Sequence, residues 1–157
     1  MPKLTACLWF DDQAEEAAAF YCSVFPNSKI TGTMDRLEGG AQGPGPVLAV
    51  DFELDGRPFM GLNGGPMFQF TEATSFQIDC ADQAEVDYYW DKLIEGGGEH
   101  SMCGWLKDRF GFSWQVVPRV LPQLLRGPDK ARSTRAMEVM LKMRKLDIAA
   151  LQAAYDG

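Results

Sequence analysis

The sequence predicts an α+β chain built from two βαβββ modules and a C-terminal helical extension. Three observations carry this reading. The tetrapeptide Asp-Gln-Ala-Glu begins at residue 12 and again at residue 82, 70 positions apart in a chain of 157. Each copy follows an apolar stretch and precedes a segment with aromatics at one depth, Phe20 and Tyr21 first, then Tyr88, Tyr89 and Trp90. Residues 119–157 carry helical apolar spacing with no counterpart in the repeat. Two long units point to a duplicated module; a solenoid stacks shorter units in greater number. The expected divisions are module one at 1–70 and module two at 71–118, together one domain, and a helical tail at 119–157.

The elements follow in order. Residues 4–10 are expected as a strand and 14–25 as a helix, capped by Asp11 or Asp12, with Glu15 and Glu16 in the first turn where the helix dipole favours anions. Pro26 and Asn27-Ser28 stop it. Residues 29–34 are a second strand, and the glycine- and proline-rich stretch 38–46 a mobile loop. Residues 47–54 and 58–62 form a hairpin across Asp55-Gly56, a strong turn signal.

Module two repeats the order, with a strand at 74–80 and a helix at 83–95 ended by Gly96-Gly97-Gly98. Strands at 104–107 and 112–117 flank the turn Asp108-Arg109-Phe110-Gly111, where Asp108 and Arg109 read as a solvated pair. In the tail, Met137, Met140, Leu141 and Arg144 are expected on one helical face. Ile148, Leu151 and Ala154 form another stripe behind Asp147 as cap. Such a tail covers its own domain or supplies a dimer contact.

Composition excludes some functions. Net charge is −7, which argues against nucleic-acid binding through clustered cations and against an anionic membrane surface. No apolar run approaches the roughly 20 residues of a membrane helix, and the first residues lack the apolar core of a signal peptide. The four cysteines, Cys7, Cys22, Cys80 and Cys103, form no Cys-x-x-Cys pair. They read as free thiols of a reducing cytoplasm.

Several segments carry a resemblance. They are Leu8-Trp9-Phe10-Asp11 with Phe20-Tyr21, Leu62-Asn63-Gly64-Gly65-Pro66, Cys103-Gly104-Trp105-Leu106, and Gly111 through Pro118. Together with the tail segments 136–143 and 145–148, they resemble the PhnB-like branch of the vicinal-oxygen-chelate superfamily. That superfamily includes glyoxalase I, bleomycin-resistance proteins and extradiol dioxygenases. The branch often carries the label 3-demethylubiquinone-9 3-methyltransferase. The resemblance implies curled mixed sheets, each half a barrel, enclosing a pocket, and a homodimer. The methyltransferase label finds no support in the residues, because no glycine-rich loop opens a helix with an acidic residue beyond it.

Metal-dependent relatives place His or Glu ligands on the first and fourth strands of each module. Carried over by strand alternation, those positions become Thr5, Asn63, Ala73 and Gln115. None is charged and Ala73 has no ligating atom, so no metal and no cofactor are expected. The lone histidine, His100, reads as a solvated loop residue. The candidate ligand-binding pocket is Cys7, Trp9, Asn63, Ser75, Gln77, Ser113 and Gln115, amides, hydroxyls and an aromatic that suit an uncharged small molecule. The alternative for Asn63, Gln77 and Gln115 is that they satisfy buried backbone. No catalytic residue is assigned. Trp9, Trp105 and Trp114 read as core before ligand stackers. Two functions follow: a metal-free small-molecule binder, or an enzyme, nominally methyltransferase-like or a metal-dependent lyase or dioxygenase.

Overall fold

The computed structural model describes residues 4–40, 43 and 45–157. Part of the expected 38–46 loop therefore lies outside the described residues. The chain divides into two compact units, Met1–Phe70 and Thr71–Gly157.

In unit one the order is β1 (Ala6–Phe10), α1 (Ala14–Val24), β2 (Lys29–Asp35), β3 (Val47–Leu54) and β4 (Arg57–Asn63). The sheet order is β1-β4-β3-β2, with β1 and β4 parallel and the other pairs antiparallel. Leu8, Phe10, Val50, Phe52 and Phe59 are buried, as are Ala14, Ala17, Ala18 and Tyr21 of α1. The alanines let the helix lie close on the sheet: a Cβ on Gly61 would sit 3.1 Å from that of Ala14. Burying Tyr21 and Phe52, each below 2 % exposed, contributes on the order of 2–3 kcal/mol apiece. Between β3 and β4, Asp55 and Gly56 both take positive φ, +47° and +72°, the backbone of a type I′ hairpin.

The expected cap of α1 is corrected. Neither Asp11 nor Asp12 caps the helix; Gln13 occupies the N-cap without a side-chain bond. Asn63, at the end of β4, does the work instead. Its Oδ1 accepts the Ala14 N–H at 2.8 Å and its Nδ2 donates to the Val47 carbonyl at 3.1 Å. A sequence reading that looks for caps next to the helix misses a cap delivered from 49 residues away.

Unit two runs β5 (Ser75–Cys80), α2 (Gln83–Lys92), β6 (Glu99–His100), β7 (Trp105–Lys107), β8 (Ser113–Pro118), α3 (Leu121–Leu125), α4 (Lys130–Met140) and α5 (Ile148–Asp156). The sheet order is β5-β8-β7-β6, again with first and last strands parallel. Here the repeated tetrapeptide caps its own helix. Asp82 accepts the Glu85 N–H, and Glu85 Oε2 accepts the Ala81 N–H at 2.7 Å, a variant of the capping box whose return bond falls one residue before the cap. Asp108 is buried, contrary to the solvated reading. It gathers the N–H groups of Phe110 and Phe112 and the Trp114 indole N–H, because a turn this tight leaves those donors pointing at one spot.

The tail packs Leu121, Leu124, Ala136, Leu146 and Leu151 against Val117. Asp147 caps α5 by accepting the Ala150 N–H. Helix α4 ends at Met140, so Arg144 does not share its face as expected. No helix among the described residues is long and apolar enough to cross a membrane.

Replacing Asn63 by Ala strips one buried and one half-buried backbone group of their partner and should cost about 2–3 kcal/mol. Asp82→Ala, at an exposed cap, should cost about 1 kcal/mol. Urea denaturation of the two variants measures the difference; equal losses would show that Asn63 is not the anchor of α1.

Candidate functional site

Register decides which side chains can meet a ligand. In unit two, Ser75 pairs with Ser113 and Gln77 with Gln115 across β5 and β8. Across β8 and β7, Ser113 pairs with Lys107 and Gln115 with Trp105. Lys107 in turn pairs with Glu99 of β6. Paired residues share a sheet face, so two rows cross the sheet on one side: Ser75, Ser113, Lys107, Glu99, and beside it Gln77, Gln115, Trp105. Phe76, Trp114, Val116 and Leu106 take the opposite side, where Trp114, Val116 and Leu106 are buried. Four of the seven sequence-predicted pocket residues thus lie together on one face.

Within these rows the Gln115 Nε2 donates to Ser75 Oγ at 2.9 Å. Ser113 is 1 % exposed, and its hydroxyl has no hydrogen-bond partner among the described residues. It lies at the floor of a cleft of about 520 Å³ lined by Glu72, Glu99, Cys103, Trp105 and Lys107, among others. That volume is within the usual range for small-molecule sites. Lys107 Nζ lies 2.5 Å from Glu72 Oε1. The hydrogen bond and charge of Lys107 hold the Glu72 carboxyl below its ordinary range, and the Lys107 ammonium is raised in turn by Glu72 and, more weakly, Glu99.

One wall of the cleft is residues 100–103, and the tail braces it. Cys103 N–H donates to the Met143 carbonyl and Gly104 N–H to that of Arg144, each at 2.8 Å. The Arg144 guanidinium donates to the His100 carbonyl. Gln83, from the second copy of the tetrapeptide, donates to Leu146 O and accepts from Ile148 N–H. His100 is not a solvated loop residue. Its ring stacks on Trp90 at 4.2 Å between centroids, and Nε2 lies 3.0 Å from the Trp90 carbonyl, to which it donates.

The three candidates in unit one are placed differently. Asn63 pairs with Phe10 and so faces α1, with its amide spent on Ala14 and Val47; the expectation that it faces a pocket is corrected. Leu62, paired with Trp9, holds the pocket-side position. Trp9 is packed by its own chain. Its indole donates to the Gly65 carbonyl at 2.8 Å, Phe68 meets it edge-on at 5.0 Å, and a Cβ on Gly64 would strike its ring at 2.2 Å. Cys7 is exposed on the same side of β1 as Trp9.

The donor set carried over for a metal does not fit one. Asn63 is committed to backbone, Ala73 has no donor, and Gln115 is bonded to Ser75. Burial, with the charges of Glu85 and Asp79, pushes the Cys80 thiol up to about 12, so it stays protonated and unreactive at neutral pH.

Trp105, Lys107, Glu99 and Glu72 were not among the sequence-predicted pocket residues. The available signal was the alternation Trp105-Leu106-Lys107, which puts an aromatic and a cation on the face opposite a buried leucine.

Comparison with known proteins adds the following. The family model described as 3-demethylubiquinone-9 3-methyltransferase matches residues 2–117. A solved protein from Bacillus cereus, carrying the same description and the designation PhnB, is 33% identical with a TM-score of 0.66, covering 74% of this chain and 99% of its own. Protein PA1353 from Pseudomonas aeruginosa is 18% identical with a TM-score of 0.59, over 75% of this chain and 98% of that one. A fosfomycin resistance protein, FosX, from Listeria monocytogenes is 14% identical with a TM-score of 0.51, over 73% and 89%. No curated protein matches. The two mixed four-stranded sheets with their α-helices share the fold of these solved proteins. The family match stops before α3, so the segment between α4 and α5 that braces the cleft wall lies beyond it.

Gln83→Ala should release residues 146–148 and loosen the wall they brace. Hydrogen exchange at the Cys103 and Gly104 amides is expected to quicken by on the order of tenfold, with β5 and β8 unchanged. Unchanged exchange at both amides would show that Gln83 does not hold the tail.

Proposed function

We propose that this chain, which belongs to the 3-demethylubiquinone-9 3-methyltransferase family and so to the vicinal-oxygen-chelate superfamily, is a metal-free small-molecule binding protein. Its ligand lies on the polar face of the second sheet. The observation that carries the reading is Ser113: a buried hydroxyl without a partner, at the floor of a cleft of ligand size. Leaving a buried polar group unsatisfied costs about 1–3 kcal/mol, and a ligand that hydrogen-bonds it recovers that cost on binding. Trp105 offers an apolar wall, and Ser75, Gln77 and Gln115 extend the polar surface along the rows.

Residues fit binding better than transfer chemistry. The family description names a methyltransferase, which needs a cradle for its methyl donor. The glycine-rich turn here, Leu62-Asn63-Gly64-Gly65, is packed onto Trp9 and followed by no helix. Cys80 is too basic to act as a nucleophile.

Thermal shift against a panel of small aromatic compounds and S-adenosylmethionine tests the reading. A panel member at 100 times its Kd should stabilise the protein by about 2.7 kcal/mol. Trp105→Ala should abolish that shift while keeping the unliganded melting temperature within a few degrees. Stoichiometric stabilisation by S-adenosylmethionine alone would favour the transferase.

A further inference from the structure

The charges around the cleft select its ligand. Glu72 and Glu99 line it as carboxylates and Lys107 as the one strong cation. Lys107 stands between them, bonded to Glu72 at 2.5 Å and paired in register with Glu99. One ammonium facing two carboxylates leaves the lining with an excess negative charge at neutral pH. The chain as a whole carries −7, which adds to the attraction for a cation. On the adjacent strand, paired directly with Lys107 and two strands from Glu99, the Ser113 hydroxyl is buried and lacks a partner among the described residues. Trp105 lies on the same sheet face two residues from Lys107 and also lines the cleft.

We infer that the cleft takes a small organic cation, a protonated amine carried on an aromatic or apolar frame. The inference rests on the binding role proposed above and specifies its ligand class. An ammonium N–H donates to Ser113 Oγ; the hydroxyl can also donate, so the sign of the ligand is chosen by the charges beside it. Glu99 supplies the countercharge, since Glu72 is already engaged by Lys107. The Trp105 ring favours a cation or an aromatic frame over its face. Among the lining residues an anionic ligand has only Lys107 to pair with and must compete with Glu72 for it.

A matched trio separates the possibilities: 2-phenylethylamine, 2-phenylethanol and 3-phenylpropionate, titrated calorimetrically into the full chain at pH 7 and low salt. The amine should bind about tenfold tighter than the alcohol, with the acid weakest, a gap set by one charge-assisted hydrogen bond and one net charge. In Glu99→Gln the amine's advantage should shrink several-fold while the alcohol's affinity holds. Raising the ionic strength should narrow the gap in the parent protein. Equal binding of all three, or preference for the acid, would overturn the cation assignment and leave the binding role standing. Absence of binding by all three to a folded protein would overturn both. Ser113→Ala serves as the second variant, expected to weaken amine and alcohol alike without unfolding the chain.

Discussion

The parallel pairing of first and last strands in each unit is the constraint on which the rest depends. Side chains along a strand alternate in face, so one pairing register assigns every residue of both strands to the helix side or the open side. In unit two the register of Ser75 with Ser113 and Gln77 with Gln115 sends Phe76, Trp114 and Val116 toward α2 and collects the hydroxyls and amides opposite. A slip of one residue would bury the amides and expose the aromatics. In unit one the pairing of Phe10 with Asn63 sends an amide to the helix side, where it is tolerable because both its ends are bonded.

The two copies of Asp-Gln-Ala-Glu show how a duplicated segment diverges by division of labour. In unit two, Asp82 and Glu85 cap α2 locally, which leaves Gln83 free to hold the tail. In unit one the local cap is absent and Asn63 replaces it from β4. Once Asn63 took that role its amide was no longer available to a ligand. The proposed binding chemistry thus lies on the second unit, whose tail also braces the cleft wall through Met143 and Arg144.

Much of the fold was legible in the sequence because its signals are local. Asp55-Gly56 marked a hairpin, and both residues do take positive φ. Period-two alternation put Leu8, Phe10 and Trp114 on the helix side, where they are buried. What escaped was non-local. The cap of α1 comes from a distant strand, and the end of α4 at Met140 follows from packing of the tail and not from its apolar spacing. Asp108 looked like a turn residue in water, yet three donors converge on it. At the candidate site the hydroxyls and amides of β5 and β8 were readable from alternation alone. The contribution of β7 was not, because Trp105 is as good a core residue as a binding one until the register puts it beside Gln115.

The central claim is that ligand binding belongs to the polar face of the second sheet. The chain's four tryptophans are Trp9, Trp90, Trp105 and Trp114, and their four indole N–H resonances report on distinct places. Trp9 is bonded to Gly65, Trp114 to Asp108, and Trp90 is stacked on His100. In a proton–nitrogen correlation spectrum titrated with 2-phenylethylamine, the Trp105 indole signal should move most, in step with the Ser113 amide, while those of Trp9 and Trp114 stay in place. Movement centred on Trp9, with Trp105 unmoved, would contradict the account.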